Sequence, residues 1–177
     1  MKKILLVLMS IVSFSSYGQL SEGELNRLKF QVDSSGSLLH EALLKEGKTL
    51  LNVTFTVDTF KVEKMMRLKM QKDTSKSEQV IAVIDAEIDY DFLLTKYYKA
   101  LLGIHDENSQ KSLVDAQKKW IKYRDNEIVM TEKFYKEQVN GNADDEAVAK
   151  AVEHLELTKE RVVELYKHIL ASPKKEQ

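Results

Sequence analysis

The stretch Leu113-Val-Asp-Ala-Gln-Lys-Lys-Trp-Ile-Lys-Tyr-Arg-Asp-Asn-Glu127 decides the fold class of this chain. It is built from good helix formers, holds no Gly or Pro, and returns apolar groups at helical spacing. Leu113, Ala116, Trp120, Tyr123, Met130 and Phe134 fall on one stripe, which predicts a long helix buried along that stripe. Gln117, Arg124 and Glu127 lie along the stripe's edge, so the only tryptophan of the chain is flanked by a polar ladder.

The same period recurs on either side. Glu78 to Gly103 reads as a helix capped by Ser77, with a seam at Ile81, Ile84, Ile88, Asp91, Thr95, Tyr98 and Leu102. Asn108 or Ser109 is placed to cap the Trp120 helix, which the Asn140-Gly-Asn142 turn ends. Asp144 then caps a last helix with the cleanest pattern in the chain: Val148, Ala151, Leu155, Thr158, Val162, Leu165 and Ile169. Short connections between long helices imply antiparallel neighbours.

Towards the N-terminus, Ser21 and Glu24 form a capping box ahead of Leu25, Leu28 and Val32. Asp33-Ser-Ser-Gly-Ser37 predicts a break, after which Leu38 to Glu46 forms a short helix stopped by Gly47. Leu51, Val53, Phe55 and Val57 alternate with polar residues, as in a half-buried strand. With no partner strand in the sequence, this segment reads as an extended connector or as the start of a helix imposed by tertiary packing. The sequon at Asn52-Val-Thr54 is read as incidental. Asp58 or Thr59 is positioned to cap a helix through Met70, whose methionines read as gap-filling core rather than a binding surface.

Residues 1–18 carry the pattern of a secretory signal peptide. Met1-Lys-Lys3 is a basic start, Ile4 to Val12 an apolar run, and Ser16 and Gly18 occupy the positions expected before a cut at Gln19. Removing them leaves 25 basic against 28 acidic side chains, a charge of about −3. That balance argues against nucleic acid and anionic membrane as partners, and no membrane insertion is expected after signal cleavage. The chain has no Cys, which excludes disulfides, thiol catalysis and a lipid-modified N-terminal Cys. The expected organisation is a signal peptide at 1–18, an N-terminal helical extension and connector at 19–76, a main helical domain at 77–171 and a charged tail at 172–177. The fold class is all-α: an antiparallel bundle of long helices with a smaller helical extension.

Chemistry-bearing motifs are missing. His40, His105, His154 and His168 form no His-x-x-x-His or Glu-x-x-His set, and no cofactor or metal is expected. There is no Gly-x-Ser-x-Gly and no phosphate loop. The reading is therefore not an enzyme; a glycosidase-like carboxylate pair is the enzymatic alternative kept at low weight. The constellation that stands out pairs Asp91, with Glu87 nearby, against Arg124 and Glu127. It predicts a buried Arg124–Asp91 ion pair beside Trp120, with two parallel hydrogen bonds, whose disruption costs of order 3–5 kcal/mol.

Leu113, Ala116, Gln117, Trp120, Tyr123, Arg124, Asp125 and Glu127 match a phrase, Leu-x-x-Ala-Gln-x-x-Trp-x-x-(Tyr/Phe)-Arg-Asp-x-Glu. It resembles the signature of the LprI lysozyme-inhibitor family. Asp91, Leu94, Tyr98 and Leu101 resemble the family's preceding helix, with Thr95 where an Asn is usual. The resemblance spans residues 77 to 170. It implies an exported helical domain, a protein as partner, and a lysozyme as that partner if the family activity carries over. The family's cysteines are absent: Ile128 stands at one position and Val80 to Val83 holds none. The alternative is an envelope interaction protein docking a bacterial partner through its helices. The acidic partner-binding candidates are Asp144, Asp145 and Glu146 in the last interhelical loop, and Asp106 and Glu107 in the one before; plain helix capping accounts for each singly.

Overall fold

The computed structural model describes residues 20–137 and 143–172. The expected signal peptide, the expected turn at Asn140–Asn142 and the tail after Ser172 lie outside the described residues. Five α-helices follow one another: α1 (Glu22–Lys45), α2 (Leu50–Lys72), α3 (Lys76–Ile104), α4 (Glu107–Glu137) and α5 (Ala143–Ala171). Successive helices run antiparallel, as their contacts show: Lys61–Asp33 and Lys72–Glu24 join α1 to α2, Lys69–Asp85 and Lys96–Asp58 join α2 to α3, Gln110–Leu102 and Arg124–Asp91 join α3 to α4, and Gln117–Arg161 and Lys150–Glu132 join α4 to α5. The fold is the expected all-α bundle.

Its centre is the parallel pair α3 and α5, the most extensive contact in the chain. Small side chains let them approach: Ala82 and Ala86 on α3 and Ala151 on α5 are buried. Tyr90, Tyr97, Leu155, Val162 and Leu165 fill the space between. The α5 stripe is as expected, with Thr158 also fully buried.

The α3 seam is rotated from the expected one. Ile81, Ile84 and Ile88 are 41, 43 and 49% exposed, and Asp91 and Thr95 are also exposed. The buried face is Val83, Ala86, Tyr90, Leu94, Tyr97 and Leu101. Alanines at the contact bring α5 close, and the tyrosines can be buried because α2 supplies acceptors. Tyr90 donates to Glu63 at 3.0 Å and Tyr97 to Asp58 at 2.7 Å. Bulky isoleucines at the same contact would hold the helices apart.

α1 opens with the predicted capping box at Ser21 and Glu24 and is followed by Gly47 at φ 74°. It does not break at residues 33–37. Gly36 is buried where α2 crosses, and a Cβ there would meet Lys61 Cε at 2.5 Å. Asp33 and Ser35 bond Lys61 and Lys64. These turn-type residues serve helix contact, and packing overrides their local preference.

The alternating 51–57 segment is helical, capped by Thr49. Val53 is fully buried, and Phe55 stacks on Tyr166 with centroids 3.7 Å apart. Asp58 and Thr59 therefore lie inside α2 and do not cap it. Asn52, the sequon residue, accepts a 2.6 Å hydrogen bond from Tyr166. Met66 and Met70 pack on the core, as gap-fillers do. α2 thus belongs to the core and is no connector. The N-cap of α3 is Ser75 rather than Ser77, and α3 continues past Gly103 to Ile104. Among the described residues no helix is long and apolar enough to cross a membrane.

Candidate functional site

α4 is the least covered of the five helices. It leans mainly on α5, and the face it turns inward is Leu113, Gln117, Trp120, Arg124, Ile128, Thr131 and Tyr135. Steps of four, three, four, four, three and four keep these on one side. Three of the seven are strongly polar, so the α4 seam is half hydrophilic. Ala116, Tyr123, Met130 and Phe134, expected on the buried stripe, are exposed. The seam rotates because α5 presents Arg161 and Glu153 to α4, and only polar residues can satisfy them.

Trp120 lies at the middle, packed against the core. Two guanidinium groups flank its ring, Arg124 at 5.3 Å and Arg161 at 5.8 Å from the centroid. Arg161 is only 7% exposed. It donates to Gln117 Oε1 from Nε (3.1 Å) and Nη2 (3.0 Å), and to Glu164 from Nη1 (2.6 Å). Gln117 is itself buried, so a neutral amide and a half-exposed carboxylate hold this charge. The sequence reading named Gln117 but missed Arg161. The signal was present: Arg161 adjoins Val162 at the edge of the cleanest apolar stripe.

Arg124 meets Asp91, as expected, but through one hydrogen bond of 3.2 Å, and a second contact goes to Asp125 at 3.4 Å. Asp91 is half exposed, so the expected buried, two-bonded pair is corrected to a partly solvated one. Rotation of the α3 seam is the cause, since it carries Asp91 to the rim. Glu87 sits one turn earlier, and burial pushes its carboxyl above the usual range. His154 and Arg124 oppose that shift, while Asp91 adds to it. Arg124 Nε, His154 Nε2 and Thr158 Oγ1 are buried without a hydrogen-bond partner among the described residues.

The remaining motif positions divide by depth. Leu94 is buried, Tyr98 and Leu113 pack on the core, and Glu127 lines a cleft between α4 and α5. The acidic loop candidates are engaged in structure. Asp106 caps α4, accepting from the Ser109 N–H at 2.8 Å, and that bond holds its carboxyl below the usual range. Glu107 pairs with Lys111 within the first turn of α4. Asp144, Asp145 and Glu146 occupy the first turn of α5, where the helix dipole favours them. Asp145 also reaches Lys76 at 2.9 Å, and Glu146 reaches Lys150.

Among the described residues no group of His, Asp or Glu could hold a metal ion. The polar layer around Trp120 positions charges between three helices. A family model described as "Lysozyme inhibitor LprI" matches residues 69–165, from the end of α2 through most of α5. No curated protein and no solved structure matches the chain.

Proposed function

We propose, from the premise that this chain belongs to the LprI lysozyme inhibitor family, that it is an exported, non-catalytic binding protein whose partner is a lysozyme. The family match over 69–165 carries this reading. The basic-then-apolar start of the chain, Met1-Lys-Lys3 and Ile4 to Val12, supports export. Animal lysozymes are strongly basic, and a partner with a mild acidic excess is steered towards them. Asp144, Asp145, Glu146, Asp106 and Glu107 add to the negative field at the helix N-termini, although Asp106 also caps α4 and Asp145, Glu146 and Glu107 also form ion pairs.

The test is calorimetric titration of the protein, without residues 1–18, into a basic animal-type lysozyme at two salt concentrations, with cell-wall lysis assayed in parallel. Salt-sensitive binding together with loss of lysis is expected. Binding without loss of lysis, or no binding at low salt, overturns the inhibitor reading.

A second reading is an envelope interaction protein that docks a bacterial partner. The outer face of the α1–α2 hairpin favours it: Phe30, Leu38 and Leu50 are 75, 69 and 68% exposed. A pull-down from the producing cell's envelope that depends on Phe30 and Leu38, with no lysozyme binding, would select it.

A further inference from the structure

The outer side of α4 carries apolar groups that the described residues leave about half exposed. Tyr123, Met130 and Phe134 are 51, 41 and 54% exposed. Glu127 lies between Tyr123 and Met130 at helical spacing, so the four side chains form one ladder. Glu127 also lines an open cleft of about 210 Å³ with Thr131, Glu153, Glu156, Leu157 and Glu160. The apolar ladder and the cleft therefore form one surface across α4 and α5.

Four of the six lining residues are glutamates and none is basic. Glu153 accepts from Thr131 and Tyr135, and Glu156 shares Lys159. Glu127 and Glu160 form no ion pair with any described residue. Four like charges around one cleft repel one another, and large apolar side chains beside them remain wet. A cationic partner relieves both costs. A second copy of the chain does not, because a two-fold contact would set the same carboxylates against each other.

We infer that this α4–α5 face docks a basic protein segment. Lys or Arg side chains of the partner enter the glutamate cleft, and apolar groups beside them cover Tyr123, Met130 and Phe134. This rests on the inhibitor reading and gives it a surface, one distinct from the acidic interhelical loops.

The test compares three variants in calorimetry against a basic animal-type lysozyme at low salt. Glu127→Lys/Glu160→Lys and Phe134→Ser alter the face. Glu41→Lys/Glu46→Lys makes the same charge change on exposed positions at the far end of α1. Far-UV circular dichroism establishes that each is folded. Each face variant should weaken binding by roughly tenfold or more, and the control by no more than about threefold. Equal losses in control and face variants overturn the assignment while leaving lysozyme binding intact.

If the unaltered protein binds no lysozyme, the inhibitor reading fails alone. The surface is then read by nuclear magnetic resonance with a synthetic peptide of alternating Lys and Leu. Shift changes confined to residues 123–134 and 153–160, lost in Glu127→Lys/Glu160→Lys, support the docking face. Shifts elsewhere overturn it, as does self-association abolished by Phe134→Ser.

Discussion

Replacing Gln117 with alanine should destabilise the fold by about 3 kcal/mol. Gln117 Oε1 accepts two N–H groups of Arg161, at 3.1 and 3.0 Å. Hydrogen bonds to a charged group contribute about 1.5–3 kcal/mol each, so the pair spans roughly 3–6 kcal/mol. Arg161 keeps its bond to Glu164, and the void left by the amide admits some water, which brings the loss towards the low end. Because Arg161 is 7% exposed, water cannot restore both bonds. For a chain of this length, 3 kcal/mol corresponds to a drop in Tm of about 6–12 °C.

Urea unfolding followed by far-UV circular dichroism measures the effect. A double-mutant cycle with Arg161→Met isolates its cause. In the Arg161→Met background no charge remains to be stranded, so removing Gln117 should cost less than about 1 kcal/mol, leaving a coupling of about 2 kcal/mol. Equal costs in both backgrounds, or a loss below about 0.5 kcal/mol from Gln117→Ala alone, would refute the claim that the amide oxygen solvates a buried charge.

Asp91→Ala should cost less than about 1 kcal/mol, because its partly solvated pair with Arg124 is weak and its removal relieves Glu87; a loss of 3 kcal/mol or more in urea unfolding would mean the pair is desolvated. Phe55→Ala should cost about 3 kcal/mol by removing the ring stacked on Tyr166, and a loss below about 1 kcal/mol would show that α2 is an appendage to a self-sufficient 77–171 domain. Alkaline pH should unfold the protein through Tyr90 and Tyr97, whose hydroxyls burial first, and Glu63 and Asp58 second, hold protonated above the usual range. The folded state retains these protons where the unfolded chain, with tyrosines near pH 10, gives them up. Their stabilisation is complete below about pH 10 and is lost as pH rises beyond it. Phenolate absorbance should therefore rise together with loss of helix, and two tyrosines ionising freely in the folded state would contradict this account.

The candidate site was legible only where one helix sufficed to define it. The Trp120 ladder of Gln117, Arg124 and Glu127 was visible in helical spacing, as was Asp91 opposite Arg124. Arg161 was signalled only by its place at the edge of the α5 stripe, where a basic residue ordinarily lies on a solvated face; the amide on α4, the Glu164 carboxylate and the Trp120 ring together make its burial tolerable. The exposure of Tyr123, Met130 and Phe134 ran against the pattern. Periodicity locates a stripe on a helix but not the neighbour that covers it, and α5 covers the adjacent, more polar stripe of α4.

Sequence by itself determined the helices of the C-terminal half, the buried stripe of α5, and the local devices at Ser21, Glu24 and Gly47. Each rests on interactions within a few residues, where composition and spacing carry the physics. Tertiary structure decided that residues 33–37 and 51–57 are helical, that α3 buries alanines and tyrosines rather than isoleucines, and that Asp91 reaches the surface. In each case two local conformations or two helix faces differ by little, of order a kcal/mol, and contacts from a distant helix exceed that difference. Lys61 against Gly36, Tyr166 against Phe55, and Asp58 beneath Tyr97 supply those contacts, and no window along the chain contains both partners.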